Sequence, residues 1–217
     1  MELTREIARK VLQTVDAGLV KGLGNPVPGQ MCIEAAVCYA LGMPHGDDPK
    51  CIGRAVRSYK IRLNDSRWSS DAARAKGMRR VAIAQLGSDQ IDQNEFCKEV
   101  ALQGVRQILP IALRAVAKMI PDHAATLEAS AIACEAVGEF AQAQSVAAAA
   151  NKAARNAAAY AAADEAAYAA AAAAADAAAA AYADAARDDV LAKAAEIGVQ
   201  ALIKLGSKGC EWLDLCD

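Results

Sequence analysis

Apolar residues return at every fourth position along the first two dozen residues, at Leu3, Ile7, Val11, Val15, Leu19 and Leu23. With Arg5, Arg9, Lys10 and Lys21 mostly elsewhere, this spacing predicts an amphipathic helix over residues 2–23. Gly22 and Gly24 loosen its end. Asn25-Pro26-Val27-Pro28-Gly29 cannot continue it, because proline fixes φ and has no amide hydrogen. From Met31 to Leu41 the chain is apolar almost all round, which predicts a buried helix with Glu34 as its only charge. Gly42 caps that helix and Pro44 follows.

A third helix is expected from Asp48, placed as N-cap, and Pro49, placed as the first helical residue. Cys51, Ile52, Ala55, Val56, Tyr59 and Leu63 share one face, with Arg54, Arg57, Lys60 and Arg62 around the rest. Asn64-Asp65-Ser66 stops it and Trp68 follows. Ser69 or Ser70 then caps a fourth helix holding Met78, Val81, Ile83 and Leu86, which ends at Gly87-Ser88. A fifth begins near residues 92–94, and Pro110 either kinks it or divides it from Ile111–Ile120. Pro121-Asp122 opens a helix that reaches about Gly138. The last helix, about Asp188 to Leu205, is capped by Gly206, and a tail anchored by Trp212 docks on the bundle. No strand-like alternation occurs, so the expected fold is all-α, a multi-helix bundle.

Between residues 147 and 186, 29 of 40 positions are alanine, and no Gly or Pro separates Gly138 from Gly198. Alanine has the highest helix propensity, so this tract is expected to be helical. Two arrangements compete: an antiparallel Ala-packed hairpin, or a projecting arm that pairs with another chain. Tyr160, Tyr168 and Tyr182 punctuate it without a strict period. Alanine contacts bury little apolar area, which favours packing or homo-oligomerisation over a lone rod.

Composition sharpens this division. Of 217 residues 55% are hydrophobic, yet only 4% are aromatic, so large core side chains come from the first half and the last twenty residues. Residues 1–120 carry 18 Lys+Arg against 12 Asp+Glu, net +6, whereas residues 121–217 carry 6 against 14, net −8. The sequence therefore reads as a helical head, residues 1–120, and an Ala-rich region, residues 121–217. A basic head fits an anionic ligand, and it fits equally a packing against acidic helices. Seven cysteines and a charged N-terminus, MELTREIARK, point to a reducing, cytoplasmic setting. No window suggests a membrane span.

Chemistry-bearing residues concentrate between Gly24 and Ser70. Cys32, Cys38 and Cys51 lack the close pairing of a structural zinc site, so no metal is expected. Glu34, His45 and Asp48 could hold a divalent ion, though capping by Asp48 and dipole complementation by Asp47 account for both acids. A Cys–His nucleophile, Cys32 or Cys51 with His45, has no local signature, and neither a P-loop nor a dinucleotide fingerprint is present. A charge inside an apolar helix needs a partner, which Arg54, Arg57, Lys60 or Arg62 can supply to Glu34. The remaining set, Arg54, Arg57, Lys60, Arg62, Asn64, Asp65, Trp68, Ser69 and Ser70, suits an anion. Arginine forks and a helix start grip phosphate, and tryptophan stacks a base. Arg79 and Arg80 on the next helix can join. The plainer reading is a solvated basic face with Trp68 in the core.

At MCIEAAVCYALGMPHGDDPKC and IRLNDSRWSS the chain resembles a group of phage, prophage and bacterial proteins to which no activity is attached. The late Ala/Tyr-rich tract and LGSKGCEWLDL resemble that group too. The resemblance carries over no catalytic role. It implies a phage-linked setting, in which small non-enzymatic helical proteins act on host defence. The leading expectation is thus a non-enzymatic binding protein, without cofactor, that holds a nucleotide-like anion or a host factor at residues 31–70. A metal-dependent enzyme acting on a phosphorylated or nucleotide substrate, and a helical scaffold, are the alternatives.

Overall fold

The computed structural model describes residues 2–119, 121–158 and 184–217. These form nine α-helices and no strand: α1 (Arg5–Asp16), α2 (Ile33–Ala40), α3 (Arg54–Asp65), α4 (Asp71–Ala84), α5 (Gln93–Gln107), α6 (Leu109–Met119), α7 (Ala124–Glu135), α8 (Phe140–Ala158) and α9 (Asp184–Lys204). Short 3₁₀ turns lie at Ser88–Gln90, Pro121–His123 and Lys208–Cys216. The all-α expectation is met. The chain forms two compact units, Met1–Phe96 with Leu191–Asp217, and Cys97–Val190. The composition break at residue 120 falls inside the second unit, and the C-terminal segment belongs to the first.

In the first unit α4 is central, packing against α1, α2 and the C-terminal 3₁₀ turn. Val11, Val15, Ile33, Val37, Met78, Val81, Ile83, Leu191 and Leu202 fill the core. Tyr59 stacks edge-on against Phe96 with ring centroids 5.9 Å apart, and its hydroxyl donates to the Ala194 carbonyl at 2.6 Å. A buried phenol has to satisfy its oxygen, so this bond fixes where α9 crosses α3.

The first helix is shorter than its apolar period. Thr4 caps it by accepting from the Ile7 amide, but it stops at Asp16 because Gly18 adopts φ +124°. Few residues other than glycine tolerate that region. Leu19 then turns into the core while Leu23 is exposed. The third helix starts five residues later than Asp48-Pro49 suggests. Its N-cap is Gly53, and the Ala55 amide is satisfied by Gln93 Oε1 from 38 positions away. Other boundaries follow the local signals. Ser70 Oγ caps α4 by accepting from Ala73, and Asp92 caps α5 by accepting from Asn94 and Glu95. Gly42 and Gly206 end α2 and α9 with the paired 6→1 and 5→2 bonds of a Schellman motif.

The tail docks as expected. Ser207 Oγ donates to the Ala84 and Leu86 carbonyls, and the Gly209 amide donates to Leu86 at 2.7 Å. Arg5 forks onto Asp214, Arg79 reaches the Cys216 carbonyl, and Trp212 is buried with the Lys208 ammonium 5.8 Å above its ring.

In the second unit α6, α7 and α8 pack together. Arg114 forks onto Glu128 and Glu135 of α7. Ala143, Ala147 and Ala150 are buried on one stripe of α8, the spacing at which small side chains let helix backbones approach. The choice between hairpin and arm, and Tyr160, Tyr168 and Tyr182, fall outside the described residues. The break near Pro110 is a single residue, since α5 ends at Gln107 and α6 begins at Leu109 while the Ile108 and Ala112 amides still donate four residues back. Among the described residues the stretch Gln93–Lys118 is long and apolar enough, by length and composition only, to cross a membrane. With 56% of its apolar window buried within the protein, it equally meets the description of a core helix.

A Cβ placed on Gly209 would fall 1.9 Å from the Ile83 carbonyl oxygen. Gly209→Ala is therefore expected to lower stability by about 1–3 kcal/mol, as overpacking does, and to make the tail cleavable by carboxypeptidase under native conditions. Thermal melts and limited digestion check both effects.

Candidate functional site

The Gly24–Ser70 region folds around α3. Its inward face, Val56, Lys60, Leu63 and Asn64, is buried. Lys60 Nζ lies 2.6 Å from Glu34 Oε1 on α2, and both side chains are 0% exposed. The predicted need of Glu34 for a basic partner is met by Lys60 and by none of the three arginines. Apart from each other, neither carboxylate oxygen nor the ammonium has a polar partner in the protein. Burial pushes the Glu34 carboxyl above its ordinary range, with the charges of Lys60 and then Arg57 opposing the shift. Burial likewise pushes Lys60 down, opposed by Glu34.

One helical turn further, Asn64 performs three tasks. Its Oδ1 accepts from the Ile33 amide at the start of α2, and its Nδ2 donates to Val20 O and Asp65 Oδ1. Asp65 Oδ1 in turn accepts from the Gly22 amide at 2.8 Å. Asn64 and Asp65, two members of the anion set, are thus bonded to the 18–31 loop. Arg74 of α4, absent from the sequence candidates, completes this knot. It is buried and donates to the carbonyls of Asn64 (2.7 Å) and Leu19 (2.9 Å) and to Asp71. Its position inside the charged run RAKGMRR gave no signal of burial.

The acidic loop is clipped from outside. Arg57 donates to the Asp47 carbonyl (2.5 Å) and carboxylate (2.8 Å), with Asp48 3.8 Å away. Lys50 sits 2.5 Å from Asp48 and, by hydrogen bonding it, holds that exposed carboxyl below its usual range. Asp48 is therefore an ion-pair residue, not the helix cap inferred from its place before proline. His45 is exposed, and its Nε2 lies 3.0 Å from the Gly24 carbonyl. A carbonyl only accepts, so that nitrogen carries the proton.

Trp68 is 7% exposed. Its indole N–H donates to the Leu63 carbonyl at 2.8 Å, and its ring occupies the place a Cβ on Gly77 would take. No face is open to stack a base. Ser70 is occupied as a cap, Arg79 pairs with Asp16, and Arg80 pairs with Glu196. Arg54, Arg62 and Ser69 lie at the surface.

The geometry decides what chemistry is available. Cys32 caps α2 with its sulfur 3.4 Å from the Ala35 amide. Burial raises the thiols of Cys32 and Cys51, and Cys38 is pushed up to about 11. A thiol that stays protonated at neutral pH is a poor nucleophile. Among the described residues no three His, Cys, Asp or Glu side chains gather as a metal would need, so Glu34, His45 and Asp48 do not form one site. Comparison with protein-family models, curated proteins and solved structures finds no match.

The buried pair yields a sharp test. Lys60→Met leaves Glu34 buried without its counter-charge, a change that costs about 3–5 kcal/mol, whereas Glu34→Leu with Lys60→Met together is expected to be neutral or stabilising. In the single variant the folded carboxyl lies above the 4.5 of the free side chain. Stability is then fully present below that value and falls as pH rises through the folded value. Urea titrations between pH 4 and 8 should find Lys60→Met losing more against wild type at pH 8 than at pH 5. An equal deficit at both pH values would show that Glu34 is solvated.

Proposed function

We propose that the protein is a non-enzymatic binding protein that presents a basic helical face to an acidic macromolecular surface. The observation behind this reading is the division of the basic residues on α3. Lys60 is sealed against Glu34 and Arg57 is half-buried against Asp47 and Asp48, while Arg54, Ser58 and Arg62 face solvent one turn apart. Arg67 continues the exposed face beyond the helix end. Two turns of helix separate Arg54 from Arg62, about 12 Å of rise.

Such a ridge suits an extended acidic surface better than a nucleotide. A nucleotide needs a concave site with an apolar wall, and Trp68 would have been that wall. In the phage-linked setting that the resemblance implies, the partner is a host factor bound and sequestered. The arginines supply orientation and association rate more than raw affinity.

Arg54→Glu with Arg62→Glu reverses the ridge at two exposed positions, so the melting temperature should stay within about 2 °C. On immobilised heparin, used as a linear acidic probe, the variant should elute at clearly lower salt than wild type. Nucleotides, cyclic and linear, should leave the melt unchanged. Binding in a true pocket at a hundredfold excess over Kd would add about 2.7 kcal/mol, a shift of several degrees. One nucleotide producing that shift would replace this reading with a small-ligand one.

A further inference from the structure

A second surface, independent of the arginine ridge, lies where α1 meets α2. Three of the five large hydrophobic side chains exposed among the described residues fall between positions 23 and 39: Leu23 (43% exposed), Val27 (47%) and Tyr39 (49%). Beside them runs a groove of about 700 Å³, lined among others by Ile7, Lys10, Thr14, Pro28, Tyr39 and Leu41. A half-exposed tyrosine at the edge of a concave surface is the side chain most often found anchoring protein interfaces.

The loop that forms one wall is held in place. The Val20 amide donates to Met31 O, Cys32 to Leu23 O and Asn25 to Gln30 O, across a bridge between Gly24 and Met31. Asn64, Asp65 and His45 fasten the same loop at Val20, Gly22 and Gly24. A surface ordered before binding loses little entropy when a partner arrives. Fourteen residues of Gly- and Pro-rich chain are thus bonded into a shelf that exposes Leu23, Val27 and Pro28 alongside Lys21, Asn25 and Gln30.

Charge narrows the occupant. Between Ala17 and Gly46 only Lys21 and Glu34 are formally charged, and Glu34 is sealed against Lys60. The groove lining adds Lys10 and no carboxylate. Lys10 sits 3.6 Å from Glu6 with both side chains more than half exposed, a pair worth only tenths of a kcal/mol, which an incoming carboxylate can replace. A mixed groove, with Ile7, Pro28, Tyr39 and Leu41 beside Gln13 and Thr14 and with Lys10 as its one charged lining residue, complements an apolar anchor flanked by acids. The chain's own segment of that description, residues 211–217, is already docked through Asp214 on Arg5 and Glu211 on Lys208. The concave form favours an inserted side chain over a lipid surface, which takes protruding ones.

We infer that this groove is a docking site for a short segment of another protein, carrying an aromatic or leucine anchor flanked by Asp or Glu. Displayed random peptides selected on the full chain test it, with Tyr39→Ala and Lys10→Glu as variants whose exposed positions leave the fold intact by circular dichroism. Selected peptides should share an apolar anchor with acidic neighbours, lose at least tenfold in affinity on Tyr39→Ala, and give way to basic flanks when selection is repeated on Lys10→Glu. Peptides indifferent to both variants, or no enrichment over an unrelated helical protein, would overturn the proposal. So would Tyr39-dependent binding to anionic vesicles, or Tyr39-dependent self-association in light scattering, in place of peptide binding. Arg54→Glu with Arg62→Glu should leave peptide affinity unchanged, which separates this site from the basic ridge.

Discussion

The first unit depends on one line of contact, where Lys60 and Asn64 of α3 meet Glu34 and Ile33 of α2. The residues on each side are adjacent along their helices, so the two contacts together set both the spacing and the axial register. A hydrophobic seam alone would permit a slip of one turn. Here a slip would leave a buried carboxylate and a buried ammonium apart, at about 3–5 kcal/mol. The pair therefore specifies arrangement more than it adds stability. Neither group has a second polar partner in the protein, so each depends on the other to offset its desolvation.

From this seam the rest of the region follows. Asn64 fixes Val20 and the start of α2, and Asp65 fixes Gly22. Arg74 then joins the Leu19 and Asn64 carbonyls to α4. Polar side chains that form a plausible ligand cradle in one dimension are, in three, the bonds of a loop that has no strand or helix of its own to satisfy its backbone. This is why the anion set separates. Asn64, Asp65, Lys60, Trp68 and Ser70 serve the interior or a cap, Arg57 holds the acidic loop, and Arg54 and Arg62 stay at the surface. What stays exposed is the outer face of α3 and the loop surface beside Tyr39.

What was legible in the sequence was local. Period-four spacing, serine and aspartate caps and glycine stops located most helices, and the isolated charge of Glu34 announced a buried partner. The departures share a cause, namely information arriving from far along the chain. Asp48-Pro49 has the composition of a helix start, but Gln93 fills the gap at Gly53 so closely that a Cβ there would sit 2.3 Å from its side-chain amide. The amide that Gln93 satisfies at Ala55 is the one a local cap would have taken. Likewise Leu19 and Leu23 extend the period of α1, yet Gly18 turns the backbone because Gly29 lies against Ala17. Arg74 was invisible because nothing in RAKGMRR distinguishes the one arginine that meets two remote carbonyls.

The same bookkeeping of charge limits what the surface can do. The first unit holds 17 basic against 15 acidic residues, net +2. A field that weak does not draw in polyanions from a distance, particularly with a screening length of about 8 Å at physiological salt. Recognition then has to come from placement at contact range. On α3, Lys60 and Arg57 meet acids, and the exposed positions 54, 58 and 62 follow one another a turn apart on the outer side. The azimuth of that exposed face is set by what the helix buries: Lys60 on Glu34, Asn64 on the Ile33 amide and Tyr59 on the Ala194 carbonyl. The one buried charge of α2 is thereby coupled to exposed positions it never touches.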